Sequence, residues 1–185
     1  LQALPGVYFY DGPFTVVAWV KPLSCGGSFS TLLDFGTHIG FKDNSILIYL
    51  TNEKHECSVR LQVLRGADFD NEISGELTKK LPANAWTHLT VTLRDDHRDL
   101  HSGIAALYMN GTLVPHSSDT NKRVDFSKEL RRRYCFVGRG PNPRYYDYAR
   151  ADIDDLKIYN RSLSEAEIID EFRFRTYSTA EHLCG

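Results

Sequence analysis

Apolar side chains recur at every second position along much of this chain, and that period restricts it to a fold built from strands. Leu89, Val91 and Leu93 alternate with His88, Thr90 and Thr92 after Trp86. Val59, Leu61 and Val63 alternate with Arg60 and Gln62, and Ile46, Ile48 and Leu50 with Leu47 and Tyr49. Successive side chains of a strand point to opposite faces, so each run offers one face to a core. Phe14 to Val20 is more continuously apolar, as a strand buried on both faces would be. Further strands are predicted at Thr31–Gly36, Tyr134–Gly138 and Ile153–Tyr159. Ile104–Met109 and Thr112–Val114 flank Asn110-Gly111, which predicts a hairpin on a type I′ turn, since Asn and Gly accept the positive φ it requires. One helix is predicted from Ser164, whose side chain and that of Glu167 form a capping box, with Leu163 and Ile168 as a hydrophobic staple. Ile168, Ile169 and Phe172 of that helix face the sheets. Many short strands and one late, short helix give an all-β, two-sheet antiparallel sandwich. The predicted domain spans residues 1–175, and residues 176–185 are expected to be a tail tethered by Cys184 if that cysteine is bridged.

A chain of 185 residues can bury a single core, and 42% hydrophobic with 25% charged residues is ordinary globular usage. Lys+Arg 22 against Asp+Glu 24 leaves a net charge of −2, so no overall charge calls for nucleic acid. The apolar stretches run only a few residues, so this segment is expected to insert in no membrane. No basic-then-apolar leader opens it; if the protein is secreted, the leader has been removed or lies outside this segment. Cys25, Cys57, Cys135 and Cys184 are widely spaced and not in CxxC pairs, which suits two disulfides in an extracellular protein or ectodomain. Three pairings are open, and the one nearest in sequence is Cys25–Cys57 with Cys135–Cys184. Asn110-Gly111-Thr112 and Asn160-Arg161-Ser162 are glycosylation sequons that agree with secretion.

Four ordered stretches carry a family resemblance. They are Phe14 to Pro22 (FTVVAWVKP), Trp86 to Thr92 (WTHLTVT), Leu107 to Val114 (LYMNGTLV) and Ile153 to Ser164 (IDDLKIYNRSLS). Together they resemble the laminin-G-like, concanavalin-A-like jelly-roll family, which is related to pentraxins. The likeness runs from about Phe14 to Phe172. It implies a jelly-roll fold but no single function, because this fold serves lectins, adhesion modules and glycosidases. It also implies that Asp154, at the position of a family aspartate, helps to hold one structural calcium with backbone carbonyls as the other ligands. Parity puts Asp154 on the face of Leu156 and Ile158, at the inner edge of the sandwich. There an Asp bonded to loop amides or to Arg150 is the equal alternative.

The related beta-glucanases carry acidic residues at alternate positions of one strand. Asp68, Asp70 and Glu72 have that spacing, but they lie between predicted strands and read as a solvated acidic loop. No nucleophile elbow, HExxH, P-loop or dinucleotide fingerprint is present, so no catalytic residue is assigned and the chain is expected not to be an enzyme. His97 and His101 fall in an Asp-rich stretch read as an exposed loop, and His88 reads as a packed strand histidine. Arg131, Arg132 and Arg133 form a basic run that could meet sulphates, although a strand would turn Arg132 away from its neighbours. Gly138 to Arg150 is rich in Gly and Pro and carries Arg139, Arg144, Tyr145, Tyr146 and Tyr148, residue types enriched at binding hot spots. The expectation is an extracellular recognition or adhesion module that binds a protein or glycan at the cell surface or matrix through these edge loops. A calcium-dependent lectin is the alternative, and a glycosidase using Asp68, Asp70 and Glu72 the third.

Overall fold

The computed structural model describes residues 2–4, 6, 8–9, 12–24, 30–36, 45–53, 56–64, 75–96, 99–115, 124–125, 132–140 and 147–181. Thirteen strands and one helix follow in order: β1 (Gln2–Ala3), β2 (Phe14–Pro22), β3 (Ser30–Gly36), β4 (Ser45–Glu53), β5 (Glu56–Leu64), β6 (Gly75–Leu81), β7 (Thr87–Asp96), β8 (Asp99–Met109), β9 (Thr112–Leu113), β10 (Val124–Asp125), β11 (Tyr134–Val137), β12 (Asp147–Tyr148), β13 (Ala151–Tyr159) and α1 (Glu165–Glu181). The first sheet runs β1-β11-β3-β4-β5-β6, with β12 added in parallel to β3. The second runs β10-β8-β7-β2-β13, with β9 on β8. This is the two-sheet jelly-roll sandwich that the alternation predicts.

The core lies between the sheets and follows parity. Phe14, Val16, Ala18 and Val20 of β2 and Leu89, Val91 and Leu93 of β7 meet Leu33 and Phe35 of β3, Ile46, Ile48 and Leu50 of β4 and Val59 and Leu61 of β5. The continuous apolar character of β2 has its own cause. Val17, on the opposite face, packs with Tyr108, Leu163 and Ile168, and Trp19 stacks 5.8 Å from Phe172. Helix α1 therefore covers the outer face of the second sheet. The Thr15 hydroxyl fixes its entry, donating to the Arg161 carbonyl and accepting from the Leu163 amide, both at 2.9 Å.

The capping box forms as predicted: the Ser164 amide donates to Glu167 Oε2 at 2.8 Å, and the Glu167 amide to Ser164 Oγ at 3.3 Å. Leu163 and Ile168 of the staple share one apolar cluster. The hairpin turn also forms, with φ of 51° at Asn110 and 73° at Gly111. Gly111 lies beneath α1, where a Cβ would stand 3.4 Å from the Phe172 ring.

Four expectations need correction. The tail expected from Thr176 continues α1 as far as Glu181. Asp95 and Asp96 end β7 and Asp99 begins β8, so His101 sits in a strand rather than a loop; His97 lies outside the described residues. Asp154 does not share a face with Leu156 and Ile158. A bulge separates Asp154, opposite Trp19, from Lys157, opposite Val17, and Asp155 takes a φ of 50° within it. One extra residue reverses the parity, so Asp154 falls on the outer face and is exposed. Finally, Cys135 is a free, fully buried thiol, so Cys135–Cys184 does not form. Its side chain points into the inter-sheet core, whereas the chain reaches Cys184 only after α1 on the outer face of the other sheet. Cys57 is disulfide-bonded. With Cys135 free, its partner is Cys25 or Cys184, and both lie outside the described residues.

Candidate functional site

The face of the first sheet that looks away from the core has an unusual make-up. Register places Phe136, Asp34 and Leu47 side by side across β11, β3 and β4. It places Tyr148, Thr31, Tyr49 and Arg60 side by side across β12, β3, β4 and β5. Solvent-facing strand positions are ordinarily polar and exposed. Here Asp34 is 2% exposed, and Thr31, Leu47, Tyr49 and Phe136 are also buried. The outer edge remains open: Tyr148 is 66% exposed, and the half-buried Arg139 lays its guanidinium 4.3 Å from the centre of the Phe136 ring.

Asp34 dominates the electrostatics of this face. Burial pushes its carboxyl up to about 7, and the nearby Arg132 guanidinium, itself 8% exposed, holds it down only in part. An acid poised at neutrality can donate a hydrogen bond when protonated and accept two or more when ionised. Arginine and tyrosine beside it add donors that a hydroxyl-rich ligand can use. The same burial raises the neighbouring Cys135 thiol to about 11, which keeps it protonated and unreactive while folded. Its Sγ donates to the Arg132 carbonyl at 3.8 Å.

The predicted site residues divide around this face. Arg139 and Tyr148 border it, while Arg144, Tyr145 and Tyr146 lie outside the described residues. The basic run does not form one patch: Arg132 is buried, Arg133 is exposed, and Arg131 lies outside the described residues. Both precede β11, and an isolated bridge to Gly6 fixes the Arg132 backbone beside the first sheet. Asp68, Asp70 and Glu72 also lie outside the described residues. Asn110 and Asn160 are both exposed, and Asn110 Oδ1 accepts from the His88 amide at 2.9 Å. Sequence reasoning missed Asp34, Tyr49 and Arg60. The available signal was a charge at alternate parity inside an otherwise apolar strand.

His88 is the packed histidine the sequence predicts. It is 1% exposed, with its ring 5.3 Å from Trp19 and 5.7 Å from Phe172. Burial drives its pKa down to about 4, against the opposing pull of Glu171. Asp154, where the resemblance implies a calcium ligand, lies on the outer face, and its Oδ1 accepts from the Asp155 amide at 2.8 Å. Among the described residues no three His, Cys, Asp or Glu side chains are grouped to hold a metal.

Comparison with known proteins agrees with this architecture. A laminin G family described as the concanavalin A-like lectin/glucanases superfamily matches residues 2–169, and the chain belongs to it. No curated protein matches in sequence. Among solved structures, domain 4 of an extracellular arabinanase from Geobacillus stearothermophilus, in complex with arabinotriose, aligns with a TM-score of 0.61 at 18% identity. The match covers 91% of this chain and 70% of that one. A pentraxin from Limulus polyphemus aligns with a TM-score of 0.58 at 15% identity, covering 91% and 71%. A Trypanosoma rangeli sialidase aligns with a TM-score of 0.57 at 22% identity, over 88% of this chain and 23% of the sialidase. The present chain thus corresponds to about a quarter of that enzyme.

These likenesses overturn the expectation that the chain is not an enzyme. Two of the three similar structures are parts of glycoside hydrolases, so the fold found here is one that such enzymes contain. The likeness covers single domains and places no catalytic group in this chain.

Proposed function

We propose that this chain is a carbohydrate-recognition domain of an extracellular protein, holding a glycan against the outer face of the first sheet. The observation that carries the reading is the open edge of that face, where Tyr148 is exposed and the half-buried Arg139 lies over the Phe136 ring. Behind this edge Asp34 is buried, its charge offset in part by the Arg132 guanidinium. Tyr148 offers an exposed ring at the open edge, and Arg139 offers guanidinium donors beside it. The disulfide at Cys57 supports an oxidising compartment. A protein ligand is the second reading, favoured by the same exposed Tyr148, because tyrosine and arginine are common anchors at protein interfaces.

The test is a glycan array followed by calorimetry on the whole chain, with arabinotriose among the probes. Tyr148→Ala and Arg139→Ala should each weaken binding about tenfold, equivalent to about 1.4 kcal/mol, without lowering the melting temperature. Failure of every oligosaccharide to bind at millimolar concentration would remove the carbohydrate reading.

A further inference from the structure

A concavity lies on the other side of the molecule, between the outer face of β13 and the first three turns of α1. Its volume is about 350 Å³, at the small end of ligand pockets, which span roughly 300–1,000 Å³. Its walls are ordered by ion pairs. Lys157 Nζ lies 2.7 Å from Glu171 Oε2 and 3.3 Å from Asp155 Oδ2, and the Tyr159 hydroxyl donates to Glu171 Oε1. Arg161 grips Glu167 with two hydrogen bonds, of 3.0 and 2.7 Å. The Arg161 contacts, with those from Ser164, bring the Glu167 carboxyl down to about 2. Burial would raise Glu171, but hydrogen bonds from Lys157 and Tyr159 outweigh it and leave its pKa lowered. Both carboxylates are therefore ionised and held in fixed planes at neutral pH. At the mouth stands Phe174, 74% exposed, with Lys157 Nζ 6.0 Å from its ring centre.

We infer that this cleft is a separate binding site for one ring of a neutral saccharide, stacked on Phe174 and hydrogen-bonded to the Glu171 and Arg161 side chains. The chemistry of the walls selects the class. Of the five charged side chains lining the cleft, Lys157 and Arg161 are positive and Glu167, Asp170 and Glu171 negative, and the two signs are interleaved. A ligand carrying a full charge of either sign therefore meets a like charge inside it. A polyhydroxylated ring without charge meets only partners, because each hydroxyl both donates and accepts. Phe174 supplies the apolar surface that such a ring needs on one side. Charge-assisted hydrogen bonds to carboxylate and guanidinium are shorter and stronger than neutral ones, and their partners here are already fixed. The inference stands on residues remote from the first-sheet face and does not depend on the reading of that face.

The experiment is a titration of the whole, isotope-labelled chain with arabinotriose, cellotriose and xylotriose, followed by amide chemical shifts. At least one of these neutral trisaccharides should shift amides within 157–161 and 167–174 with a millimolar Kd. Phe174→Ala should weaken that binding at least tenfold, and Phe174→Trp should keep it within threefold. Sialyllactose, which is anionic, should bind the cleft at least threefold more weakly than the best neutral sugar. Phe174 is exposed, so the melting temperature of Phe174→Ala should stay within a degree or two of the parent. Absence of shifts in these amides with all three sugars would overturn the proposal, as would undiminished affinity in Phe174→Ala or tighter binding of the anionic sugar. If binding is lost in Tyr148→Ala and kept in Phe174→Ala, the cleft is excluded and the first-sheet reading stands. The reverse result excludes the first-sheet reading and supports the cleft.

Discussion

Asp34 and His88 are both buried, one in each sheet, and burial drives their pKa values in opposite directions. Asp34 keeps its proton in the fold up to about pH 7 and releases it near 3.8 when unfolded. The stability it contributes is complete below 3.8 and is lost as pH rises through about 7. His88 is neutral in the fold down to about pH 4 and takes up its proton near 6.5 when unfolded. Its contribution is complete above 6.5 and is lost as pH falls through about 4. Between those limits the two slopes oppose each other, each about 1.4 kcal/mol per pH unit. Asp34→Asn should therefore make stability rise with pH more steeply than in the parent between about pH 4.5 and 6.5. His88→Asn should make it fall. Urea unfolding across that range measures both slopes, and two variants with the parent's slope would dispose of the argument. Only the histidine was legible in the sequence. Its place between Leu89 and the rest of a regular strand marked it as packed, whereas Asp34 meets Phe136 and Arg132 only through pairing with a segment far away in the chain.

At the scale of elements, what could be read was local. The capping box, the staple and the Asn110-Gly111 turn each need only residues within a few positions, and each is found where expected. Ser164→Ala should cost about 1 kcal/mol, because it removes the oxygen that accepts the Glu167 amide; thermal melts of the two proteins check it. The bulge in β13 was not legible. Ile153-Asp154-Asp155-Leu156 suits unbroken alternation as well as it suits an insertion, and only pairing with β2 decides between them. Since Asp155 stands at a φ of 50°, Asp155→Val forces a β-branched side chain into a left-handed backbone. It should destabilise by about 1–2 kcal/mol more than Asp155→Gly, which also loses the ion pair to Lys157 but not the backbone freedom. Equal melting temperatures for the two variants would mean that the bulge relaxes. The disulfide pattern was illegible for a related reason: sequence distance says nothing about which side of a sheet a cysteine faces.

For the molecule as a whole, the two sheets present unlike surfaces. One outer face lies under α1, with a cleft of interleaved charges and one exposed ring along the helix. The other carries the acid, the arginines and the tyrosines of the candidate glycan site. No helix among the described residues is long and apolar enough to cross a membrane. Between the faces, the unpaired Cys135 thiol lies in the inter-sheet core without exposure to solvent. A thiol reagent reaches it only when the sheets part, so its labelling rate is a clock for the opening of the sandwich. In the folded protein, modification of Cys135 by a maleimide should be slower by at least a thousandfold than in 6 M urea, and it should accelerate in Asp155→Val by about tenfold for each 1.4 kcal/mol of stability lost. Peptide mapping must locate the label, because one of Cys25 and Cys184 is also left without Cys57 as a partner; rapid labelling at Cys135 itself would mean that the interior breathes far more often than its packing implies. Each molecule that has opened carries a permanent mass tag afterwards, so a mixed population keeps a readable history of its own excursions.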